Sequence, residues 1–284
     1  MKKIKIRGCC VGWVLLSLIV CWPAVAKSED VIRLGVIPLL NSLELTEKFG
    51  PMLGYLEKRL GQPVKLKVPA NFRLLIDALG ENQLEIVYLG PVPYLHLVEQ
   101  YGLKPILAME ELKGKKDYHG VIFVRQESPI QGLGDLAGKR FAFGDPESTM
   151  NHTLPKLMLA HAGVGLKDLA KHAFVGNNQN VVLSVLMGQF DAAGVKEDVY
   201  AQYESRGLRV IAKSLPVPNL MFVAGSHMPK EWVERVREAM TSMHQTPEGM
   251  AALKKFHADA TALIPSQDSD FKPLRAFLQE NKKK

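Results

Sequence analysis

Ser148, Thr149, Asn151 and His152 bring two hydroxyls, an amide and an imidazole together within a few residues. They follow a short apolar run, Phe141-Ala142-Phe143, and a break at Gly144-Asp145-Pro146. An apolar helical pattern comes after them. A helix that starts directly after a strand leaves its first backbone N–H groups without acceptors, and its dipole favours negative charge there. With hydroxyl and amide donors added, such a corner suits a phosphate-like oxyanion. The dipole supplies only about 0.3–1 kcal/mol at an exposed end. Directed hydrogen bonds must therefore carry most of the affinity. Ordinary capping explains the same residues, with Ser148 or Thr149 as N-cap and the other groups in water. Spacing alone favours capping slightly, because capping is so common.

Other chemistry is thinly represented. The eight histidines are scattered, and none has the His-Glu-x-x-His spacing of a zinc hydrolase. There is no G-x-S-x-G elbow and no Walker loop. Asp145 precedes Pro146 and reads as a turn former. An enzyme is not expected, for want of a nucleophile–base pair, and no metal or cofactor is implied.

The first residues indicate a compartment. Lys2, Lys3, Lys5 and Arg7 precede an apolar core over Val11–Val20, and Ala24-Val25-Ala26 forms a small-x-small cleavage pattern. This is the three-part signature of a secretory signal peptide, with a core too short to span a bilayer comfortably. Residues 1–26 are expected to be removed, placing the protein in the periplasm. Lipid attachment at Cys21 ranks second, because Val20 replaces the usual small residue before such a cysteine. All three cysteines (Cys9, Cys10 and Cys21) lie in the leader, so the remainder has no disulfide or thiol chemistry. The net charge of +7 falls to +3 without the four leader cations, and Lys282-Lys283-Lys284 form a basic tail. No basic block marks the body, which argues against a nucleic-acid partner.

The elements that must position the corner alternate between strand and helix. Strands are predicted at Val31–Ile37 and Val64–Val68. Helices are predicted at Glu47–Leu60, stopped by Gly61, and from Asn71 to Gly80. "LEIVYLG" and "VPYLHLVEQYG" repeat the pattern. Such alternation implies a sheet with helices on its faces. Glu197–Gly207 reads as helical, and the end of the chain reads as helices at Pro229–Met243, Pro247–His257 and Phe271–Glu280. Strand-like segments at 118–125 and 219–224 suggest crossovers between two α/β lobes. Lobe 1 would then hold 27–118 and 225–284, and lobe 2 would hold 119–224.

Five segments carry a resemblance, in order. They are "YLEKRLGQPVKL", "LEIVYLGPVPYLHLVEQYGLKPIL", "LGDLAGKRFAFGDPESTMNHTLP", "LSVLMGQFDAAGV" and "LPVPNLMFVAG". Together they resemble the periplasmic phosphate/phosphite/phosphonate-binding proteins of ABC transporters. The resemblance covers most of the mature chain. It implies a two-lobed type II periplasmic-binding-protein fold with two hinge crossovers and a ligand cleft between the lobes. It also implies a monomer that binds a small oxyanion and serves an inner-membrane ABC permease. A receptor feeding a membrane sensor is the alternative.

By the same resemblance the oxyanion is held by Ser148, Thr149 and neighbouring N–H groups. Tyr88 and Tyr94 fall in the first-lobe segment that faces the cleft, and Tyr118 falls at the first crossover. Packing of a partly buried ring accounts for these tyrosines equally well. The family's S-T-S-G corner becomes Ser148-Thr149-Met150-Asn151, and its G-x-H becomes Gly176-Asn177-Asn178. Asn178 thus stands where a histidine is usual, and His152 is a candidate to compensate. Members that take an aminoalkyl phosphonate add acids for the ammonium. Glu197 or Asp198 could serve here, whereas the return strand carries Asn219.

Overall fold

The computed structural model describes residues 31–38 and 40–282. The expected leader, Cys21 and the last two lysines of the tail lie outside these residues. The first part of the chain alternates as anticipated: β1 (Ile32–Val36), α1 (Ser42–Leu60), β2 (Val64–Lys67), α2 (Phe72–Gly80), β3 (Ile86–Leu89) and α3 (Pro91–Tyr101). α1 starts at Ser42 rather than Glu47 because Asn41 caps it, accepting the Glu44 N–H at 3.0 Å. It ends where Gly61 turns left-handed at φ 68°, a conformation that costs a glycine little.

β4 (Ile106–Leu112) and β5 (Asp117–Tyr118) follow, and then β6 (Gly120–Arg125) and β7 (Arg140–Phe143). Next come α4 (Leu154–His161), β8 (Lys171–Phe174), α5 (Asn178–Leu186), β9 (Ala192–Lys196) and α6 (Glu197–Ala201). β10 (Leu208–Lys213), β11 (Val217–Pro218) and β12 (Met221–Ala224) lead back. α7 (Lys230–Thr241), α8 (Pro247–Phe256), β13 (Ala260–Ile264) and α9 (Lys272–Lys282) complete the described chain. Thr246 caps α8 as the Thr-Pro-Glu start predicts, accepting the Gly249 N–H at 3.1 Å.

The strands form two larger sheets and a ribbon. One sheet has the order β13-β4-β12-β3-β1-β2, the other β10-β6-β9-β7-β8, and β5 pairs with β11 between them. In each sheet three strands run parallel (β2-β1-β3 and β8-β7-β9), and an antiparallel strand, β12 or β6, flanks the trio. The antiparallel pair β5–β11 carries both chain crossings from lobe to lobe. This is a two-lobed α/β fold with two hinge crossovers.

Two sequence expectations need correction. Met221–Ala224 does not belong with the second sheet, since it lies between β3 and β4 in the first. Its residues are all buried there, as a central strand covered on both faces requires. The helix expected over Glu197–Gly207 is shorter: α6 stops at Ala201, and a 3-10 turn covers Glu204–Arg206 before Gly207 at φ 89°.

The second sheet buries both faces. Val121 and Phe123 of β6 pack with the α5 side, while Ile122 and Val124 pack with Phe141, Phe143 and Leu159 on the other. This is the period-two alternation of a strand covered on both sides. The first lobe is built around a larger core with an aromatic group at its heart. Phe49 lies 5.6 Å from Tyr88 and 5.0 Å from Phe256, and Tyr88 lies 4.9 Å from Phe222. Such pairs add about 0.5–1.5 kcal/mol beyond area burial.

The lobes also share an anchoring device. At the start of β1, Arg33 forks onto Glu85, which precedes β3, and Glu85 Oε2 accepts the Arg33 backbone N–H at 2.7 Å. At the start of β7, Arg140 forks onto Asp191, which precedes β9, and Asp191 Oδ2 accepts the Arg140 backbone N–H at 2.8 Å. The acids in the two resembling segments therefore pin strand starts. The opposite, carboxyl ends of the same strands are left to build a site, as is general for open α/β sheets.

Candidate functional site

The corner after β7 is a single π-helical turn, Thr149–Thr153, that runs into α4. Ser148 is its N-cap, with Oγ accepting the Asn151 N–H at 3.1 Å. The Thr149 and Met150 N–H groups open the turn and by position lack intrahelical acceptors. Capping and ligand binding are thus compatible: Ser148 fixes the turn, and the turn presents N–H groups. Ser148, Thr149 and Asn151 are all buried although polar. Gly144 lets Asn151 sit directly on the end of β7, with the Gly144 N–H donating to Asn151 O at 3.0 Å. Asn151 Nδ2 donates to Asn178 Oδ1 at 2.8 Å, which ties the corner to the start of α5.

A cavity of about 50 Å³ opens at this corner. A single water needs only about 10–15 Å³ of such space, so the cavity has room for a small oxyanion. Its walls come from both lobes: Ser148, Thr149, Asn151, Asn178 and Lys196 from one, Ile37 and Gly90 from the other, with Tyr118 at the crossover. Ile37, Asn178, Lys196 and Leu220 also line a larger adjoining chamber of about 260 Å³. That chamber reaches Lys48, Phe49, Tyr88, Asp198, Phe256 and His257.

Direct contacts close the lobes on each other. The Val92 N–H at the start of α3 donates to Thr149 Oγ1 at 3.1 Å. The Tyr118 hydroxyl interacts with Thr149, and burial drives its pKa well above the usual tyrosine range. His96 pairs with Glu147 across one side of the cleft. His257 Nε2 pairs with Asp198 Oδ2 at 3.1 Å across the other. Burial alone would raise the Asp198 pKa, but His257 and Lys196 outweigh it and hold the carboxyl far below the ordinary range.

The structure gathers most of the expected residues and removes three. Ser148, Thr149, Asn151, Tyr118 and Asn178 line the corner, and Tyr88 lines the chamber. The Tyr88 hydroxyl is committed to Glu110 Oε1 at 2.8 Å. Tyr94 lies away from both cavities, fully buried, donating to Asp268 Oδ1 at 3.0 Å and stacked near Phe271. His152 turns outward, with Nδ1 2.6 Å from Pro146 O and its ring wedged between Phe143 and Phe174. Burial lowers its pKa, which favours the neutral imidazole. Glu197 is exposed and pairs with Lys213 at 2.7 Å on the outer surface. The acid of that turn that enters the chamber is Asp198.

Two lysines in the cleft went unrecognised. Lys196 ends β9, borders both cavities, and lies 3.1 Å from Asp198 Oδ2 with its Nζ 4.7 Å from the Tyr118 ring centre. Lys48 on α1 lines the chamber, and burial lowers its pKa against the opposing charges of Glu110 and Asp198. The available signal for Lys196 was its place at the carboxyl end of a buried strand, where ligands bind. Met150, which replaces a family serine, lies against Gly120: a β-carbon there would come within 2.5 Å of its sulfur. Its bulk is thus accommodated by a glycine on β6.

The fold and a cleft walled by two lobes define a type II periplasmic solute-binding protein. A family model described as the periplasmic substrate-binding protein of phosphonate ABC transporters matches residues 34–271. The chain belongs to that family. It is 24% identical over 240 residues to the phosphonates-binding periplasmic protein of Escherichia coli K12, covering 81% of this chain and 71% of that protein. It is 23% identical over 225 residues to the phosphate-import protein PhnD of Mycolicibacterium smegmatis, covering 73% and 70%. The structure of PhnD1 from Prochlorococcus marinus, in complex with methylphosphonate, superposes with a TM-score of 0.81 at 20% identity. That superposition covers 90% of this chain and all of that one.

Proposed function

We propose that this chain captures a small phosphorus oxyanion that carries no ammonium group, such as phosphate, phosphite or an alkylphosphonate. As a member of its family it is a periplasmic substrate-binding component of an ABC transporter, and a sensor role is not favoured. The observation that carries the ligand class is the convergence of Ser148, Thr149, Asn151 and Tyr118 on one small buried cavity closed by the opposite lobe. The relatives named above, a phosphonate binder, a phosphate importer and a methylphosphonate complex, support it.

The chamber beside the corner argues against an amine. Asp198 is already compensated by Lys196 and His257, and Lys48 stands in the same space. Asn219 spends its amide protons on the Glu110 and Lys115 carbonyls, at 3.1 and 3.0 Å. An ammonium would meet Lys48 and Lys196 there, and these two cations outweigh the attraction of Asp198 Oδ1 and Glu110 Oε2, which are buried without hydrogen-bond partners among the described residues. Closure about the β5–β11 ribbon, with 27–118 and the C-terminal segment moving against the middle of the chain, completes the donor set and selects the shut state.

The mature protein is a monomer that delivers its ligand to an inner-membrane ABC permease, begins at Lys27 after leader cleavage rather than at a lipidated Cys21, and turns nothing over. N-terminal sequencing of the exported protein checks the leader reading: a blocked, lipid-bearing Cys21 would overturn it. Isothermal titration calorimetry against phosphate, phosphite, methylphosphonate, 2-aminoethylphosphonate and sulfate tests the ligand class. At least one amine-free phosphorus oxyanion should bind with a Kd of about 1 μM or tighter, and aminoethylphosphonate should bind about tenfold more weakly or worse. Tightest binding of the amine, or binding of no phosphorus compound, would overturn the proposal.

A further inference from the structure

We propose that Lys196 is a specificity-determining residue that gives the corner a full positive charge and so selects dianionic oxyanions over monoanions of the same shape. This rests on the ligand class proposed above. The Lys196 side chain is only 14% exposed and borders both the corner cavity and the chamber. An ammonium has three N–H donors. Among the described residues its polar partner is Asp198 Oδ2, at 3.1 Å, and the Tyr118 ring supplies a face at 4.7 Å. Donors therefore remain for a ligand seated between Lys196 and Ser148–Thr149.

Asp198 does not depend on Lys196 alone. The same Oδ2 atom accepts His257 Nε2 from the other lobe at 3.1 Å. If Nζ turns toward a bound oxyanion, the carboxylate keeps a partner, and the shift costs less than breaking an isolated buried pair. Lys48, the other cation of the chamber, faces the charges of Glu110 and Asp198 and borders only the chamber. The charge that can reach the corner is thus that of Lys196.

Charge discrimination follows. Hydroxyls and backbone N–H groups favour an anion but distinguish a dianion from a monoanion weakly. A charge-assisted hydrogen bond is stronger than a neutral one and responds to the ligand's charge. Met150 lines the corner with a thioether, which donates no hydrogen bond. The lysine brings a stronger donor to the same cavity.

Methylphosphonate and methanesulfonate provide the test, being close in shape but different by one charge when the phosphonate is fully ionised. Calorimetric affinities for both are measured at an alkaline pH on the wild type, Lys196→Gln and Lys196→Arg. The wild type should prefer methylphosphonate. Lys196→Gln should lose about 10- to 100-fold for methylphosphonate and less than about threefold for methanesulfonate. Lys196→Arg should restore most of the preference. A wild-type ratio retained in Lys196→Gln would overturn the inference while leaving the ligand class standing. Equal wild-type affinities for the two isosteres would overturn it without reference to any variant. A wild type that binds phosphate, phosphite and methylphosphonate not at all would remove the ligand class, and this inference with it.

Discussion

Changing Ser148 and Thr149 together to alanine should reduce affinity for the cognate phosphorus oxyanion by about 100-fold or more. The two hydroxyls lie in a buried corner where a lost donor is not replaced by water. Thr149 also receives the Val92 N–H from the facing lobe, so its removal weakens the shut state. Ser148 caps the turn through the Asn151 N–H, a role worth about 1 kcal/mol. The ligand-free double variant should therefore still fold and melt a few degrees lower. Differential scanning fluorimetry with and without ligand reads both effects. A ligand-induced rise in Tm equal to that of the wild type would remove these hydroxyls from the site.

The second large effect is expected at Gly144, which lines neither the corner cavity nor the adjoining chamber. A β-carbon there would lie 2.5 Å from Asn151 Cβ and 2.9 Å from the Gly176 carbonyl oxygen. Backbone cannot yield as a side chain does, so the corner must lift from β7. Gly144→Ala should cost about 1–3 kcal/mol in urea unfolding. It should also lose the Asn151–Asn178 hydrogen bond and, with it, most ligand binding. Gly134 has open space at its β-carbon position, so Gly134→Ala should leave both measurements unchanged. Wild-type stability and affinity in Gly144→Ala would show that the close packing of Asn151 does not hold the corner.

Much of this architecture was legible before any coordinates. Asn71 followed by an apolar period and Gly80 reads as a capped helix, and α2 begins and ends accordingly. The corner at Ser148–Thr149 was readable because strand, turn, hydroxyl cap and apolar run occur in order. β4 was not legible, because Ala, Met, Glu and Leu favour helices in isolation. It becomes a strand by pairing with β12 on one side and β13 on the other, contacts distant in sequence. β13 was missed for the same reason.

Side-chain direction was the other limit. His152 sits within the donor cluster in sequence, yet it is drawn outward by Pro146 O and the phenylalanine rings. Glu197 and Asp198 are adjacent, yet one faces Lys213 outside and the other faces His257 within. In sequence Lys196 is followed by two acids, a pattern that an exposed helix start shows equally well. Only the position of the opposite lobe makes it a cleft residue.

The most direct test of the site is a crystal structure of the wild-type protein grown with methylphosphonate. The phosphonate oxygens should lie within about 2.7–3.1 Å of Ser148 Oγ and the Thr149 N–H, with both lobes contacting the ligand. A fully occupied phosphonate bound elsewhere, or an empty corner at saturating ligand, would contradict the account.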